Sequence, residues 1–361
     1  MPSIQPQSKI LVTGGNGFIA SWVCRELLEQ GFRVKGTVRD KEKGDYLSRL
    51  FEGFGDRFSY IVVENILEQE AFDEAIEGVE GAVHIASPIH TSAGDPYDDF
   101  INPALDGTLS VLNSAKKRQG FKRFVLMSSY GAVYSPKEDP TYVFTEEDWN
   151  EFALELFKKL GKETPLEIIY CASKVLAEKS AWKFIENEKP VFDLVALCPP
   201  LVWGPIIHEV KDANHLNASL KFLYDYLSTD VGMPQGVANI GHLVDVRDVA
   251  KLTIECFLRE KAGGNRYIVG KESFTVPSLI ENVYDDEFNR KNWPKASKNI
   301  QDELVLLRHN PCDSSKSEKD LGITYRPLGT IIKDASVSLK EHSKAWEKNS
   351  PETKQKLFNA T

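Results

Sequence analysis

The sequence of 361 residues has few cysteines, no excess of basic residues and no long apolar run. Its five cysteines are widely spaced, with no CxxC pair and no Cys/His cluster, so it predicts neither a zinc site nor a disulfide framework, and no metal is expected. This cysteine content is typical of a protein from a reducing compartment. Asp and Glu total 53 against 44 Lys and Arg, and the net charge is −9. An acidic balance argues against a nucleic-acid or anionic-membrane partner, because both would favour a basic face.

Two further absences exclude secreted and membrane-embedded classes. The opening residues, MPSIQPQSK, lack the apolar core of a signal peptide. No apolar run approaches the roughly 20 residues that a membrane-spanning helix needs. We therefore expect a cytoplasmic protein without a membrane partner.

Short apolar runs alternate with amphipathic stretches over the first 200 residues. Helical periodicity occupies most of the intervals between the runs, including 19–28, 70–76 and 108–117. Such alternation predicts an α/β fold, a Rossmann-type doubly wound parallel sheet with helices on both faces. The predicted strands are 10–12, 33–38, 58–63, 82–86, 124–127 and 194–197.

The pattern changes after Pro199, where closely spaced prolines and glycines interrupt it. A helix is expected at 215–226, a strand and helix that rejoin the sheet at 243–257, and another helix near 276–284. The predicted division is a larger domain of 1–200 plus about 237–262, a smaller α+β lobe of about 201–236 plus 263–340, and a polar C-terminal tail at 341–361.

The turn after the first strand reads GGNGFIA from Gly14 to Ala20 and opens a helical stretch. Gly14 permits a tight turn, Gly17 lets the backbone approach a pyrophosphate, and Ala20 lets the helix pack close to the sheet. The helix N-terminus then offers N–H groups and the positive end of its dipole to phosphates. An ordinary strand-to-helix turn is the alternative, but the strand, the glycines and the helix together favour a dinucleotide site.

The second strand ends at Arg39 and Asp40, with Lys43 nearby. An acid at this place binds the ribose 2′-OH of NAD, whereas a basic residue suits the 2′-phosphate of NADP. Arg39 offers a planar fork of donors and Lys43 a point charge, which favours NADP(H) as the cofactor. A solvated surface pair is the alternative, and Asp40 offsets part of the charge.

Tyr170 and Lys174 form a YxxxK arrangement in a helical stretch, so both lie on one helix face. We expect the Lys174 ammonium to lower the pKa of the phenol from its ordinary value of about 10, so that it can act as a general acid or base near neutral pH. Surface helices carry this pattern by chance, but here it follows a dinucleotide-binding turn.

Ser128 and Ser129 follow the fifth strand, which places them at the carboxyl edge of the sheet, where doubly wound folds bind ligands. The Ser129 hydroxyl can donate to a carbonyl oxygen that gains negative charge. The alternative is a serine-rich strand end that satisfies its own backbone.

On these motifs the sequence resembles the extended short-chain dehydrogenase/reductases of the NAD-dependent epimerase/dehydratase superfamily. Within them it is similar to the fungal NADPH-dependent carbonyl and methylglyoxal reductases and to the plant dihydroflavonol and cinnamoyl-CoA reductases. The similarity runs from about residue 9 to about residue 339. The motifs that carry it are VTGGNGFIA at 12–20, HIASP at 84–88, SSY at 128–130, YCASK at 170–174, HLNAS at 215–219 and DVRDVA at 245–250.

The resemblance implies that Ser129, Tyr170 and Lys174 are catalytic, and that the last two also touch the cofactor. It implies that Arg39 and Lys43 contact the 2′-phosphate. The other implied cofactor contacts are Gly14, Gly15, Asn16, Gly17, Phe18, Ile19, Asn65, Ile66, Ala86, Ser87, Pro88, Pro199, Leu201, Val202 and Ser219. Asn65 departs from the family, whose members commonly have Asp there to contact adenine, and a neutral amide is a weaker partner.

The substrate pocket is expected to be apolar and aromatic, with Ile89, Tyr130, Tyr134 and Trp203 as its lining residues. Core packing is the alternative for each of them, and it is the favoured interpretation for Phe222. The charged stretch 146–162 leads into the tyrosine helix and either shapes the substrate entrance or decorates the surface.

The function favoured by the sequence is NADPH-dependent reduction of an aldehyde or ketone by hydride transfer, with Tyr170 as the proton donor. A nucleotide-sugar epimerase or dehydratase is one alternative, but no sugar-nucleotide element is recognised and Arg39 indicates NADP. A non-catalytic NADP-binding sensor is another, but such proteins typically lose the tyrosine or the lysine that this chain retains. The expected partner is a small carbonyl compound, and the expected state is a monomer or a homodimer.

Overall fold

The computed structural model describes residues 3–86, 95–139, 141–228, 241–273, 286–293 and 310–349. The predicted site residues Ser87, Pro88 and Ile89 lie outside these ranges. The predicted helix near 276–284 and the last residues of the predicted tail lie outside them as well.

The described residues form ten strands and ten α-helices, most of them alternating along the chain. The strands are β1 Lys9–Val12, β2 Arg33–Val38, β3 Phe58–Val62, β4 Gly81–His84, β5 Arg123–Met127, β6 Asp193–Cys198, β7 Leu201–Trp203, β8 His242–Asp245, β9 Arg266–Ile268 and β10 Glu272–Ser273. The helices are α1 Phe18–Glu29, α2 Lys41–Leu50, α3 Asn102–Lys116, α4 Glu151–Leu160, α5 Leu166–Glu188, α6 Ala218–Ser228, α7 Val246–Leu258, α8 Glu287–Asn292, α9 Ser315–Leu321 and α10 Leu328–Asn349.

Seven strands form one parallel sheet in the order β3-β2-β1-β4-β5-β6-β9. The order reverses at β1, which pairs with β2 on one side and with β4 on the other. In folds of this class, ligands bind beyond the carboxyl ends of the strands at such a reversal. The predicted fold class, a Rossmann-type doubly wound sheet, is confirmed.

The core of this sheet follows from its sequence. Every residue of β5 and β6 is buried, as expected of parallel strands that are covered on both faces. Apolar side chains of α3 and α5, such as Val111 and Ala181, pack in one cluster with Phe124 of β5 and Leu194 of β6. Burial of this kind contributes most of the favourable free energy of folding.

The chain divides into two compact units. The first consists of residues 1–200, 247–269 and 310–324, and it contains the seven-stranded sheet. The second consists of residues 201–246, 270–309 and 325–361, and its small sheet has the order β10-β8-β7.

Several local predictions differ from the structure. The predicted helix at 70–76 is wrong: consecutive turns replace it, since Glu70 has a positive φ of 68° and the Asp73 amide reaches only three residues back, to the Glu70 carbonyl. The predicted strand near 243 does not rejoin the large sheet, because β8 pairs with β7 and β10. The seventh strand of the large sheet is β9, which the sequence had assigned to the smaller lobe together with residues 310–324.

The end of the described chain is helical. α10 continues to Asn349, so the first part of the predicted tail at 341–361 is a helix. The indole N–H of Trp346 donates to the Val210 carbonyl at 2.9 Å within the second unit. Among the helices of the described residues, none combines the length and apolar character that a membrane crossing requires.

Candidate active site

The glycine turn lies between β1 and α1, where the strand order reverses. Gly14 has a φ of +64°, a left-handed conformation that favours glycine. A Cβ on Gly14 would stand 3.2 Å from the Ala86 Cα, so the close approach of the β4 end also requires glycine. The amide of Gly14 donates to the Thr37 hydroxyl at 3.1 Å, and the amide of Gly15 donates to the Thr37 carbonyl at 2.8 Å. The turn is therefore held rigidly against β2.

The N-terminus of α1 fits a phosphate group. Its N-cap is Gly17, which makes no side-chain cap, and the first turn carries no acidic residue. The Ser21 amide donates to the Gly17 carbonyl at 2.9 Å, and the N–H groups of the first turn of a helix generally lack an acceptor within the helix. The Ser21 hydroxyl donates to the carbonyls of Gly15 and Gly17, which fixes the loop against the start of the helix. A pyrophosphate suits this arrangement of donors and helix dipole.

The two side chains predicted to bind the 2′-phosphate follow β2, and they differ in whether another residue already engages them. Arg39 is exposed, and among the described residues no hydrogen bond or ion pair holds its guanidinium. Lys43 is engaged, because its ammonium lies 3.0 Å from the Asp40 carboxylate. Asp40 also caps α2 by accepting from the Lys43 amide at 3.0 Å. Arg39 is thus the residue of the pair that is available to an added phosphate.

The hydroxyls of Ser129 and Tyr170 meet beside Gly131. The two side chains lie next to each other, since a Cβ on Gly131 would stand 3.2 Å from Ser129 Oγ and 3.7 Å from Tyr170 Cε1. The Gly131 amide donates to Ser129 Oγ at 3.0 Å, which leaves the Ser129 O–H able to donate elsewhere. Lys174 lies one turn further along α5, with Nζ 5.8 Å from the centre of the Tyr170 ring. The structure brings these three predicted residues together.

The two adjacent serines have different surroundings. Ser128 is buried, and its hydroxyl donates to the Glu178 carboxylate at 2.6 Å. Ser129, not Ser128, is the serine beside Tyr170. Glu178 is not among the predicted site residues. A carboxylate one turn after Lys174 is the sequence signal that could have found it.

The pKa values of the site differ from the expectation drawn from the YxxxK spacing. Burial raises the pKa of Tyr170 to about 12, and the neighbouring Ser129 hydroxyl opposes part of that rise. The expected lowering by Lys174 is therefore not seen, because desolvation of the phenolate dominates the pKa of this buried side chain. Burial lowers the pKa of Lys174 to about 8, and the charge of Glu178 opposes that fall. At neutral pH the phenol holds its proton and the lysine is charged.

The end of β4 carries a buried histidine, His84, which is not among the predicted site residues. The Thr13 hydroxyl accepts from the amides of Ile85 and Ala86 at 3.0 Å each, so its own O–H donates to His84 Nδ1 at 3.0 Å. Burial, reinforced by the charge of Lys174, lowers the pKa of His84 to about 3. His84 is therefore a neutral group that fixes the strand end beside the glycine turn.

A small cleft lies within the first unit at the carboxyl edge of the sheet. It is lined by the strand ends of β4 and β5 and by one face each of α3 and α5. The lining residues are His84, Ala86, Ala104, Thr108, Leu126, Met127, Ser128, Lys174, Ala177 and Glu178. Charged and polar groups from four elements thus converge there.

The adenine contacts predicted at 65 and 66 are placed close to the sheet edge. Asn65 is exposed, and its side-chain oxygen accepts from the Leu67 amide at 3.0 Å. Ile66 packs partly against the core cluster of the sheet, and a Cβ on Gly107 would stand 3.0 Å from its Cδ1.

The carbonyl of Pro199, another predicted cofactor contact, accepts from the Tyr130 amide at 2.8 Å, so one of its lone pairs is already engaged.

The predicted pocket and cofactor residues of the second unit are packed within that unit. Trp203 is fully buried, stacks on Phe222 with ring centres 6.0 Å apart, and donates its indole N–H to the Ser219 carbonyl. The Ser219 hydroxyl donates to the Val202 carbonyl at 2.8 Å. Leu201 begins β7, the strand that contains Val202 and Trp203. Core packing therefore describes both Trp203 and Phe222.

In the first unit, Tyr130 and Tyr134 belong to an aromatic cluster with Phe144. Tyr130 is 2% exposed, and the Tyr134 and Phe144 ring centres are 5.2 Å apart. Tyr130 is thus part of the core, whereas Tyr134 is half-buried. The charged stretch 146–162 is likewise packed: Asn150 caps α4 and donates to the Gly131 carbonyl at 2.9 Å, and Phe157 is buried against α5.

Comparisons with known proteins give consistent similarities. The sequence matches the model of the NAD dependent epimerase/dehydratase family over residues 10–270. It is 37% identical over 348 residues to a ketoreductase of Aspergillus niger, with 93% of this chain and 98% of that protein covered. It is 32% identical over 339 residues to the NADPH-dependent methylglyoxal reductase of Saccharomyces cerevisiae, with 91% of this chain and 96% of that protein covered.

Among solved structures, the chain is similar to the yeast methylglyoxal/isovaleraldehyde reductase complexed with NADPH. The TM-score is 0.81 at 29% identity, and the match covers 92% of this chain and 98% of that one. The likeness therefore extends over nearly the whole length of both proteins.

Proposed function

Because this chain belongs to the NAD dependent epimerase/dehydratase family, we propose that it is an NADPH-dependent reductase that converts aldehydes or ketones to alcohols. The observation that carries the proposal is that the Ser129 and Tyr170 side chains meet beside Gly131, one helical turn from Lys174, at the carboxyl edge of the sheet. The reductases among its relatives support the same assignment. No observation favours the epimerase or the sensor alternative.

The residues of the site divide the reaction between them. When bound, NADPH would supply the hydride for the carbonyl carbon of the substrate. The Ser129 hydroxyl donates a hydrogen bond to the carbonyl oxygen and stabilises the negative charge that develops there. The Tyr170 phenol, whose pKa of about 12 keeps it protonated, gives its proton to the alkoxide. The charged Lys174 stabilises the phenolate that remains.

The glycine turn and the N-terminus of α1 are assigned to the pyrophosphate, and Arg39 to the 2′-phosphate. Arg39 carries the preference for NADPH over NADH, since its guanidinium is exposed and Lys43 is paired with Asp40. The first unit is therefore the NADP-binding unit of this proposal, and the second unit is assigned to substrate binding. We expect a cytoplasmic enzyme acting on a small carbonyl compound, either as a monomer or as a homodimer.

The test is consumption of NADPH by the purified protein with a panel of aldehydes and ketones that includes methylglyoxal and isovaleraldehyde. NADH is run in parallel, and the Tyr170→Phe variant serves as the matched control for turnover at the site. The proposal expects at least one carbonyl to be reduced, with NADPH preferred. It is overturned if no carbonyl is reduced faster by the parent than by Tyr170→Phe.

A further inference from the structure

Glu178 is a fully buried carboxylate that the proposed reaction steps do not use. Its oxygens accept from Ser128 Oγ at 2.6 Å and from Arg266 at 2.6 Å through Nε and 3.2 Å through Nη2. The indole N–H of Trp182 adds a longer bond of 3.3 Å. The Cys198 thiol adds a weak bond at 3.7 Å. A carboxylate engaged on both oxygens by four side chains is held in one position, and so are the groups that it binds.

Glu178 is connected to the active site through two elements, the end of β5 and the helix α5. Ser128 immediately precedes Ser129, so its hydrogen bond to Glu178 anchors the strand end that presents the Ser129 hydroxyl. Lys174 stands one turn before Glu178 on α5, and both side chains line the same cleft. Glu178 therefore links the strand end to the helix face that carries Tyr170 and Lys174.

The charge that faces Lys174 comes chiefly from Glu178. On α5 itself the neighbours of Lys174 are Glu178 and Tyr170, which is protonated. His84 of β4 is neutral, and burial raises the pKa of the Cys198 thiol of β6. Arg266 of β9 faces Glu178 from the other side as its counter-ion. Among these groups Glu178 carries the negative charge next to the lysine.

We propose that Glu178 is a positioning residue of the reductase site, which orients the Ser128–Ser129 turn and supplies the negative charge that faces Lys174. The proposal rests on the reductase function proposed above. Glu178 does not touch the reacting atoms, and it acts through Ser128 and Lys174.

The test compares two variants that separate these roles. Glu178→Gln keeps an oxygen for Ser128 and removes the charge. Because that charge raises the pKa of Lys174, its removal lowers this pKa further, and the ammonium is lost at a lower pH. In Glu178→Gln we expect kcat/KM to decrease at an alkaline pH that is lower by about one unit than in the parent. Ser128→Ala keeps the charge of Glu178 and loses the hydrogen bond to it. In this variant we expect kcat to be about fivefold lower, with the alkaline decrease of kcat/KM at the parental pH.

A matched control comes from another buried carboxylate of the first unit. Asp193 pairs with Arg123 and lies outside the cleft lining, so Asp193→Asn lowers stability without moving the pH profile. If Glu178→Gln does not fold, the double variant Glu178→Gln, Arg266→Gln removes the uncompensated guanidinium, and a smaller shift in the same direction is expected.

The outcomes separate this proposal from the proposed function. A parent without carbonyl reduction overturns both. A parent that reduces carbonyls and loses activity in Tyr170→Phe supports the function alone. If the Glu178 variant that folds then keeps the parental kcat and the parental pH profile, the role of Glu178 is overturned and the reductase function stands.

Discussion

Two buried arginine–carboxylate pairs lie in the first unit, and they differ in what surrounds them. In one, Arg123 of β5 binds Asp193 of β6 through two hydrogen bonds, at 2.6 and 2.8 Å, where both strands begin. In the other, Arg266 of β9 binds Glu178 of α5 at 2.6 Å. Both arginines and Glu178 are nearly inaccessible to solvent, and Asp193 is almost as buried.

Both arginines also donate to backbone carbonyls, so the surroundings of the carboxylates show the difference. Arg123 also donates to the carbonyls of Cys256, Arg259 and Glu260, so it caps the C-terminal end of α7, where a cation is favoured by the helix dipole. The carboxylate of the Arg266 pair instead binds Ser128 and lies one turn from Lys174. The two pairs are therefore alike in their burial and in their ion pairing. The residues around each carboxylate distinguish the structural pair from the pair that serves the active site.

The largest effect is expected from breaking the structural pair. Asp193→Asn leaves the Arg123 guanidinium buried without its counter-charge, which costs about 3 to 5 kcal/mol of unfolding free energy. Urea unfolding measures the loss, and kcat per folded molecule is expected to stay at the parental value. A kcat that falls more than the folded fraction would show that this pair also serves catalysis.

The next effect concerns the two serines at the end of β5. Ser129→Ala removes the donor to the substrate oxygen and is expected to lower kcat by about 10² to 10³. Ser128→Ala is the matched control, since it removes a hydroxyl that binds Glu178 and is expected to cost about fivefold. Steady-state rates at saturating NADPH decide between them, and a larger loss in Ser128→Ala would reverse the assignment.

The smallest effect is expected at the exposed end of the site, away from both pairs. Arg39→Ala is expected to lower kcat/KM for NADPH about tenfold, through the loss of a hydrogen bond to a charged group, and to leave NADH nearly unchanged. Lys43→Ala is the control and should change less, because Lys43 is paired with Asp40. Equal losses with both cofactors, or a parent that prefers NADH, would contradict the role of Arg39.

The sequence predicted the fold class and the family because their signals are local. A strand, a glycine turn and a helix are contiguous in the chain, and the spacing of Tyr170 and Lys174 is fixed by one helical turn. The sheet order then brings the ends of β1, β4 and β5 together without further information.

Tertiary contacts decided the features that the sequence did not predict. The sequence selects Ser129, but the separate bonding of its neighbour Ser128 depends on Glu178 of another element. The pKa of Tyr170 rises because of burial, which the spacing does not encode. Arg266 was not selected either, since its pairing with Glu178 depends on β9 joining the large sheet.

Tyr170→Phe removes only the hydroxyl that we assign as the proton donor of carbonyl reduction, and it is therefore the sharpest test of that role. The measurement is kcat for carbonyl reduction together with NADPH affinity, for the parent and the variant. We expect kcat to fall by about 10² or more while NADPH binding is nearly unchanged. Turnover by Tyr170→Phe at the parental rate would contradict it.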